Sequence, residues 1–245
     1  NPDRKYSAFG FPLGLMQIEA SLCRAGYSPY FVDPQTHANH ESMIMDILSK
    51  TPVFVGMSTY LGENLINAKE ISAKIRAVNP AIPIVWGGPF ASSAPEICLE
   101  QAEVDYVVMG MGEDTVVELA DYLSTDDSTL DTTHISFKKD GKISLGTLYR
   151  FDGELENLPL PDLRLWEDGV RRMQAIPIMS SRGCPRRCNF CYNSFVTKSK
   201  YLLRSPESVL AEMNRWAVHF DIKEFHFVDD NFLIDLKRSA VILGA

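Results

Sequence analysis

Helical and strand-like segments alternate along the first half of the chain, and this alternation constrains the fold more than any other feature. Apolar, β-rich runs of buried-strand type occupy residues 52–58, 82–86 and 106–109. A segment between the first two, residues 65–78, carries apolar residues three and four apart, which is typical of one helical face. Strands separated by helices of this length predict a doubly wound, Rossmann-like α/β fold with a parallel sheet.

Glycines follow three of these strands at their carboxyl ends. They are Gly56 and Gly62 around the first strand, Gly87 and Gly88 after the second, and Gly110 and Gly112 after the third. In open parallel sheets, ligands bind over this edge, and bare glycine backbone lets a bulky ligand approach closely. Each pair alone is equally well explained as a tight strand–helix turn. Three pairs in register predict a ligand site.

The remaining elements are predicted from periodicity and from turn residues. Helices are predicted at 15–26, 42–49 and 113–123 and after Pro95, and a short strand at 30–32. Later elements are a hairpin at 135–145 around Asp140-Gly141, a proline-punctuated linker at 157–162, strands at 175–180 and 224–228, and a helix with Ser205 as N-cap. The predicted domains are a ligand-binding domain at 1–125, a hairpin and linker strap at 126–172, and the first part of a (βα) barrel at 173–245.

Composition excludes several classes of function. The net charge of −8 gives no basis for a general affinity for nucleic-acid phosphates. No apolar run approaches the roughly 18 residues of a membrane span, and no signal peptide opens the chain. Five cysteines, three of them clustered, are unlike a disulfide framework, so we expect a reducing, cytoplasmic setting. The start at Asn1 without Met, and the stop inside a predicted helix, suggest a chain truncated at both ends.

The clustered cysteines, Cys184, Cys188 and Cys191, have the spacing C-x3-C-x2-C. A structural zinc site usually takes four ligands, and the nearest histidines lie on or beside predicted regular elements. A disulfide would leave one thiol unpaired in an already reducing setting. Three thiolates on one loop suit an iron–sulfur cube with one iron left open, which this pattern favours over zinc and over inert cysteines.

This cysteine segment, with Phe190 before its last cysteine, resembles the signature of the radical S-adenosylmethionine (SAM) enzymes. The region from residue 13 to residue 123 resembles the cobalamin-binding domain that precedes the radical SAM barrel in one branch of that family. The stretches that carry this second resemblance are 11–15, 56–59, 85–89 and 105–113, and 227–232 resembles the second strand of that barrel. Together the two resemblances cover nearly the whole chain.

The resemblance implies three cofactors: a [4Fe-4S] cluster held by the three cysteines, SAM on its open iron, and cobalamin. It implies SAM-binding roles for Phe190, Tyr192, Asp229, Asp230 and Asn231. The two acids stand where the family binds the methionyl ammonium, although a turn with a helix cap is the alternative for them. The residues implied for cobalamin are Pro12, Leu13, Gly14, Gly56, Ser58, Thr59, Tyr60, Leu61, Gly87, Gly88, Pro89, Gly110, Gly112 and Glu113.

The function implied by the resemblance is methyl transfer to an unactivated carbon of a small-molecule substrate, with electrons from a donor such as flavodoxin or ferredoxin. Cobalamin-dependent cyclisation or rearrangement is the alternative within the same architecture. A tRNA methylthiotransferase would carry a second cysteine trio upstream, where this chain has only Cys23 and Cys98. A non-enzymatic cobalamin carrier or sensor would not need the cysteine loop.

Overall fold

The structure is a computed structural model that describes residues 12–33, 37, 39–125, 131–149, 153–171, 175–198 and 200–244. The chain divides into two compact units. The first, Ser21–Phe151, is named the sheet unit; the second, Asn1–Ala20 with Asp152–Ala245, is named the cysteine unit. The division falls at other positions than the predicted domain boundaries after residues 125 and 172, which stay predictions.

The sheet unit contains a five-stranded mixed sheet. Its strands, in spatial and chain order, are β1 (Val55–Ser58), β2 (Ile84–Gly87), β3 (Tyr106–Val108), β4 (Ile135–Lys139) and β5 (Lys142–Ser144). The pairs β1/β2 and β2/β3 are parallel, whereas β3/β4 and β4/β5 are antiparallel. The helices before residue 125 are α1 (Leu13–Arg24), α2 (His40–Leu48), α3 (Glu63–Val78), α4 (Gly88–Ser93), α5 (Pro95–Leu99) and α6 (Thr115–Ser124).

Apolar residues cover both faces of this sheet. Along β2, Ile84 and Trp86 join one buried cluster, and Val85 between them joins the cluster on the opposite face. This alternation follows from the two-residue period of a strand, and burial on both faces is expected of parallel strands flanked by helices. The buried indole of Trp86 donates from Nε1 to Ser72 Oγ at 3.0 Å, so its polar atom is satisfied. The predicted α/β fold class is confirmed.

One sequence-based expectation in the sheet unit is wrong. The strand predicted at 30–32 is wrong, since these residues adopt no regular structure. The segment predicted as a strap between domains contributes β4 and β5 to the sheet. Its turn follows the prediction, with Asp140 and Gly141 both at positive φ, as a two-residue hairpin turn requires.

The cysteine unit is built on a β–α–β core. Its strand β6 (Ile176–Ile178) pairs in parallel with β9 (Phe225–Phe227). The other elements are α7 (Glu167–Val170), β7 (Ser181–Gly183), α8 (Tyr192–Val196), β8 (Tyr201–Leu203), α9 (Pro206–Phe220) and α10 (Leu236–Gly244). The antiparallel hairpin of β7 and β8 was not predicted. The predicted cap at Ser205 is present, because its side chain accepts from Ser208 N at 3.2 Å.

The first turns of α1 pack within the cysteine unit through two hydrogen bonds. Trp166 Nε1 donates to Glu19 Oε2 at 2.7 Å, and Gln17 Nε2 donates to the carbonyl of Pro159 at 2.5 Å. Burial raises the pKa of Glu19 above its usual value. No helix in the described part of the chain is long and apolar enough to cross a bilayer.

We expect Gly110→Ala to cost more stability than Gly141→Ala. Both glycines have positive φ, which costs an L-residue roughly 1–2 kcal/mol. A Cβ at Gly141 would meet nothing within 4 Å, whereas one at Gly110 would collide with the backbone oxygen of Tyr149 and add about 1–3 kcal/mol. Urea titration gives both free energies of unfolding. Equal losses would contradict the close approach at Gly110.

Candidate functional site

The three glycine-bearing loops of the sheet unit lie at one edge of one sheet. Ser58 at the end of β1 is in register with Gly87 at the end of β2, and Trp86 is in register with Val107 of β3. Because the three strands are parallel neighbours, their carboxyl ends meet at the same edge. The prediction that these loops share one edge is confirmed.

Thr59 ties the ends of β1 and β2 together. Its backbone N donates to Gly87 O at 2.8 Å, and its hydroxyl donates to the same oxygen at 2.9 Å. The hydroxyl also accepts from Ala91 N at 3.2 Å, inside the first turns of α4. Its side chain is fully buried, so Thr59 shapes the loop by bonding protein backbone.

Gly88 lets the loop after β2 come close to β1. Its φ is +90°, and a Cβ there would lie 3.1 Å from both the N and the O of Thr59. Either feature disfavours a side chain, so the edge beside Gly88 is formed by bare backbone. Glycine at position 88 is therefore required by the close approach of this loop to the end of β1. The cobalamin-binding role of Gly87 and Gly88 stays a prediction.

The loop after β3 is held by residues that sequence reasoning missed. Gly110 N donates to Ser92 Oγ at 2.9 Å, and Tyr149 N donates to Met109 O at 3.0 Å. The Tyr149 hydroxyl donates to Asp114 Oδ2 at 2.7 Å, beyond the same loop. No sequence motif indicated Tyr149, because it reaches the loop only through the fold of the β4–β5 hairpin.

The other residues predicted for cobalamin differ in exposure. Leu61 is 79% exposed and Tyr60 is half exposed just after β1, whereas Glu113 is buried. The remaining positions are exposed or partly buried: Gly56, Ser58, Pro89 and Gly112. Pro12, Leu13 and Gly14 belong to the cysteine unit, so their role at the sheet edge stays a prediction.

The three clustered cysteines lie on the loop between β7 and α8, and all are free thiols. Cys188 is exposed, and Cys184 and Cys191 are partly exposed. The loop is closed by a hydrogen bond from Cys191 N to Cys188 O at 3.0 Å, and Ser194 N continues it with a bond to Cys191 O at 3.1 Å. Three unpaired thiols on one short accessible loop are a donor set that fits an iron–sulfur cluster.

Convergence of the three sulfurs is not observed. Within the described residues, no three His, Cys, Asp or Glu side chains are placed to hold a metal ion. The cluster-ligand role of Cys184, Cys188 and Cys191 therefore stays a prediction.

Gly183, directly before Cys184, adopts a backbone that a side chain would oppose. Its φ is +83°, and a Cβ there would collide with the carbonyl oxygen of Lys200, the residue directly before β8. The register pairs Gly183 with Tyr201. The hairpin of β7 and β8 thus fixes where the cysteine loop begins.

The two acids after β9 bind the start of this loop. Asp229 Oδ1 accepts from Ser180 N at 2.7 Å and from Ser181 N at 2.8 Å, and Asp229 Oδ2 accepts from the Ser180 hydroxyl. Asp230 Oδ2 accepts from Gly183 N at 2.9 Å. Asn231 begins a 3-10 turn at Phe232–Ile234. The predicted alternative of a turn therefore describes part of what these acids do.

Two buried arginines complete the surroundings of Ser180. Arg238 Nη2 donates to Ser180 O at 2.6 Å, and Arg204 N donates to the same oxygen at 3.0 Å. The Arg204 guanidinium forms a buried ion pair with Glu212 at 2.5 Å and donates to Met179 O at 3.1 Å. Sequence reasoning missed both arginines, because an isolated arginine is usually exposed.

The chain is similar to a known domain family and to curated proteins. Residues 4–120 match the family described as the B12 binding domain. A protein named as an uncharacterized methyltransferase from Pyrococcus horikoshii is 29% identical over 94% of this chain and 51% of its own length. Cytidylyl-2-hydroxyethylphosphonate methyltransferase of Streptomyces wedmorensis is 23% identical over 96% of this chain and 54% of its own. The chain thus spans about half the length of these curated relatives.

Solved structures show the same fold. The radical SAM methyltransferase TsrM of Kitasatospora setae, with cobalamin and a [4Fe-4S] cluster bound, superposes with a TM-score of 0.76 at 20% identity. That match covers 99% of this chain and 49% of TsrM. The cobalamin-dependent SAM radical enzyme OxsB superposes with a TM-score of 0.76 at 20% identity, over 94% of this chain and 33% of its own.

We expect thiol reagents to alkylate Cys188 much faster than Cys98 in the native chain. Burial raises the pKa of the Cys98 thiol to about 11, so the thiolate is scarce at neutral pH and the sulfur is also inaccessible. Cys188 is exposed and should react at once. Mass spectrometry of alkylated peptides measures both rates under anaerobic conditions. Labelling of Cys98 as fast as Cys188 would contradict the buried position of Cys98.

Proposed function

We propose that the whole protein is a cobalamin-dependent radical SAM methyltransferase, because residues 4–120 match the B12-binding domain family and the chain has the fold of the cobalamin-dependent radical SAM enzymes. The observation that carries this proposal is the order of features on one chain: a B12-binding domain followed by the Cys184–Cys188–Cys191 loop. The substrate proposed is a small molecule with an unactivated carbon that receives the methyl group. The setting proposed is cytoplasmic.

Cobalamin is proposed to lie over the carboxyl edge of the sheet unit. The backbone of Gly87 and Gly88 provides a flat approach there, and Thr59 holds that backbone in place from below. Tyr60 and Leu61 offer exposed apolar surface beside it for the corrin and its side chains. In this proposal Tyr60 and Leu61 contact the cobalamin. Gly87, Gly88 and Thr59 shape the edge against which it lies.

The cysteine loop is proposed to hold a [4Fe-4S] cluster through Cys184, Cys188 and Cys191. Three protein thiolates leave one iron open for SAM. When bound, cobalamin supplies methyl-carrier chemistry, and the cluster with SAM supplies one-electron radical chemistry. A one-electron donor protein such as flavodoxin or ferredoxin is proposed to reduce the cluster.

The proposed SAM contacts come from residues on and beside the cysteine loop. Phe190 is 94% exposed within the loop, so its ring is available to pack on a bound adenine, and Tyr192 lies at the start of α8 beside it. Asp230 uses Oδ2 for Gly183 N, and Oδ1 has no hydrogen bond from the described residues. That oxygen is available to pair with the methionyl ammonium. Asn231 follows it directly.

Cyclisation is a second candidate reaction, favoured by one relative. The anaerobic magnesium-protoporphyrin IX monomethyl ester cyclase of Synechocystis is 26% identical over 90% of this chain and 45% of its own. Product analysis with labelled SAM distinguishes the two reactions. Transfer of the SAM methyl group to product supports methyl transfer, and a product without it supports cyclisation.

Cys188→Ala in the full-length protein should remove most of the bound iron after anaerobic reconstitution, because a cluster with two thiolates is poorly held. Cys98→Ala is the matched control, since it removes a buried cysteine from the sheet unit and should leave iron content unchanged. Iron, sulfide and cobalamin per chain are measured together. Equal iron content in the two variants would contradict the cluster site. A wild-type protein that binds the cluster but no cobalamin would contradict the cobalamin site.

Asp230→Asn should weaken SAM binding while leaving iron content near that of the wild type. Asparagine retains an oxygen to accept from Gly183 N, but it lacks the charge that pairs with an ammonium, worth about tenfold or more in affinity. Titration of SAM into reconstituted protein, followed by calorimetry, measures the effect. Unchanged affinity would remove Asp230 from the SAM site.

A further inference from the structure

We infer that Asp229 is a positioning residue that fixes the start of the cysteine loop, and not a ligand of the SAM ammonium. That Asp229 fixes the loop rests on contacts in the cysteine unit alone. That it thereby serves a cluster and SAM rests on the proposed function.

Asp229 meets a need created where the chain leaves β6. The parallel ladder of β6 and β9 ends with Ile178 opposite Phe227, followed by a bond from Val228 N to Ile178 O at 3.0 Å. The chain then turns through Ser180 and Ser181 into β7, and both residues are almost fully buried. Their backbone N–H groups need acceptors there, because an unsatisfied buried donor destabilises the fold.

The Asp229 carboxylate supplies these acceptors. One oxygen accepts both backbone N–H groups, at 2.7 and 2.8 Å, and the other accepts the Ser180 hydroxyl. The carbonyl of Ser180 is bonded by Arg238 and by Arg204 N. Every polar group of Ser180 is therefore bonded within the protein. The turn that leads into the cysteine loop is held from both sides.

Charge and geometry separate Asp229 from Asp230. Both oxygens of Asp229 are occupied by protein donors, so an ammonium ligand would have to displace bonds that the buried turn needs. Asp230 uses one oxygen for Gly183 N, next to Cys184, and keeps the other. Adjacent acids at the end of one strand thus have different tasks: the first holds the turn, and the second is available to a cation.

The test compares Asp229→Asn with Asp229→Ala. Asparagine keeps an oxygen for the two N–H groups, and its amide can donate to the Ser180 hydroxyl, so the turn should be retained without the charge. Alanine removes all three bonds. Hydrogen exchange of the cofactor-free protein, measured by mass spectrometry, should show exchange at Ser180 and Ser181 about tenfold faster in the alanine variant and near wild type in the asparagine variant.

Glu156→Ala is the control for general loss of stability in the same unit. Glu156 Oε1 accepts from Ser205 N at 2.6 Å at the start of α9, so its removal should destabilise that helix start. Exchange at Ser180 and Ser181 should stay near wild type in this variant. Wild-type exchange at these two residues in Asp229→Ala would overturn the positioning role.

Reconstituted full-length protein tests the link to the cofactors. Asp229→Asn should keep the iron content and the SAM affinity of the wild type, whereas Asp229→Ala should lose most of its iron, and asparagine therefore acts as the rescuing variant. A large loss of SAM affinity in Asp229→Asn, with normal exchange and iron, would show Asp229 to be a SAM ligand and overturn the inference. This arm decides even if the alanine variant does not fold. If the wild type binds neither cluster nor SAM, the proposed function fails while the exchange result still decides the positioning role.

Discussion

The loops of this protein depend on one constraint: buried backbone groups that leave a parallel ladder must find new hydrogen-bond partners. In the sheet unit, Thr59 bonds Gly87 O and Ala91 N where β1 and β2 end. In the cysteine unit, Asp229 bonds the N–H groups of Ser180 and Ser181 where β6 ends. In both places a short polar side chain provides hydrogen-bond partners that a further residue of the neighbouring strand would otherwise have provided. The loops that follow leave the sheet, and these hydrogen bonds fix the positions of their first residues.

Buried charge in the cysteine unit serves this arrangement. Removing one partner of a buried pair such as Arg204–Glu212 typically costs about 3–5 kcal/mol, whereas the intact pair adds little net stability over apolar packing. The ion pair instead orients the Arg204 guanidinium toward its backbone acceptors. Arg204 reaches Met179 O and Ser208, and Arg238 reaches Ser180 O and Arg204 O. Two guanidinium groups thus bond successive carbonyls of a turn that an apolar core would leave unsatisfied.

Bare backbone complements these hydrogen bonds at positions where two segments of the chain approach each other closely. Gly88 sits against Thr59, Gly110 against Tyr149, and Gly183 against Lys200, each at positive φ. Beside the cysteines, bare backbone lets β7 and β8 close up directly before Cys184. Glycine at these positions is a steric requirement of the fold.

The sequence by itself determined the α/β class, the shared edge of three glycine loops, the cap at Ser205 and the Asp140-Gly141 turn. It also indicated a resemblance to cobalamin-binding domains, and residues 4–120 match the B12 binding domain. These follow from local periodicity, turn chemistry and a fixed cysteine spacing. Only the tertiary structure decided that residues 30–32 form no strand, that the predicted strap adds two strands to the sheet, and that Thr59 is buried beneath the edge. It also showed that the adjacent acids Asp229 and Asp230 accept hydrogen bonds from different donors. The reason is that a carboxylate's task depends on which donors the fold brings to it, and the donors for Asp229 lie 48 and 49 residues away along the chain.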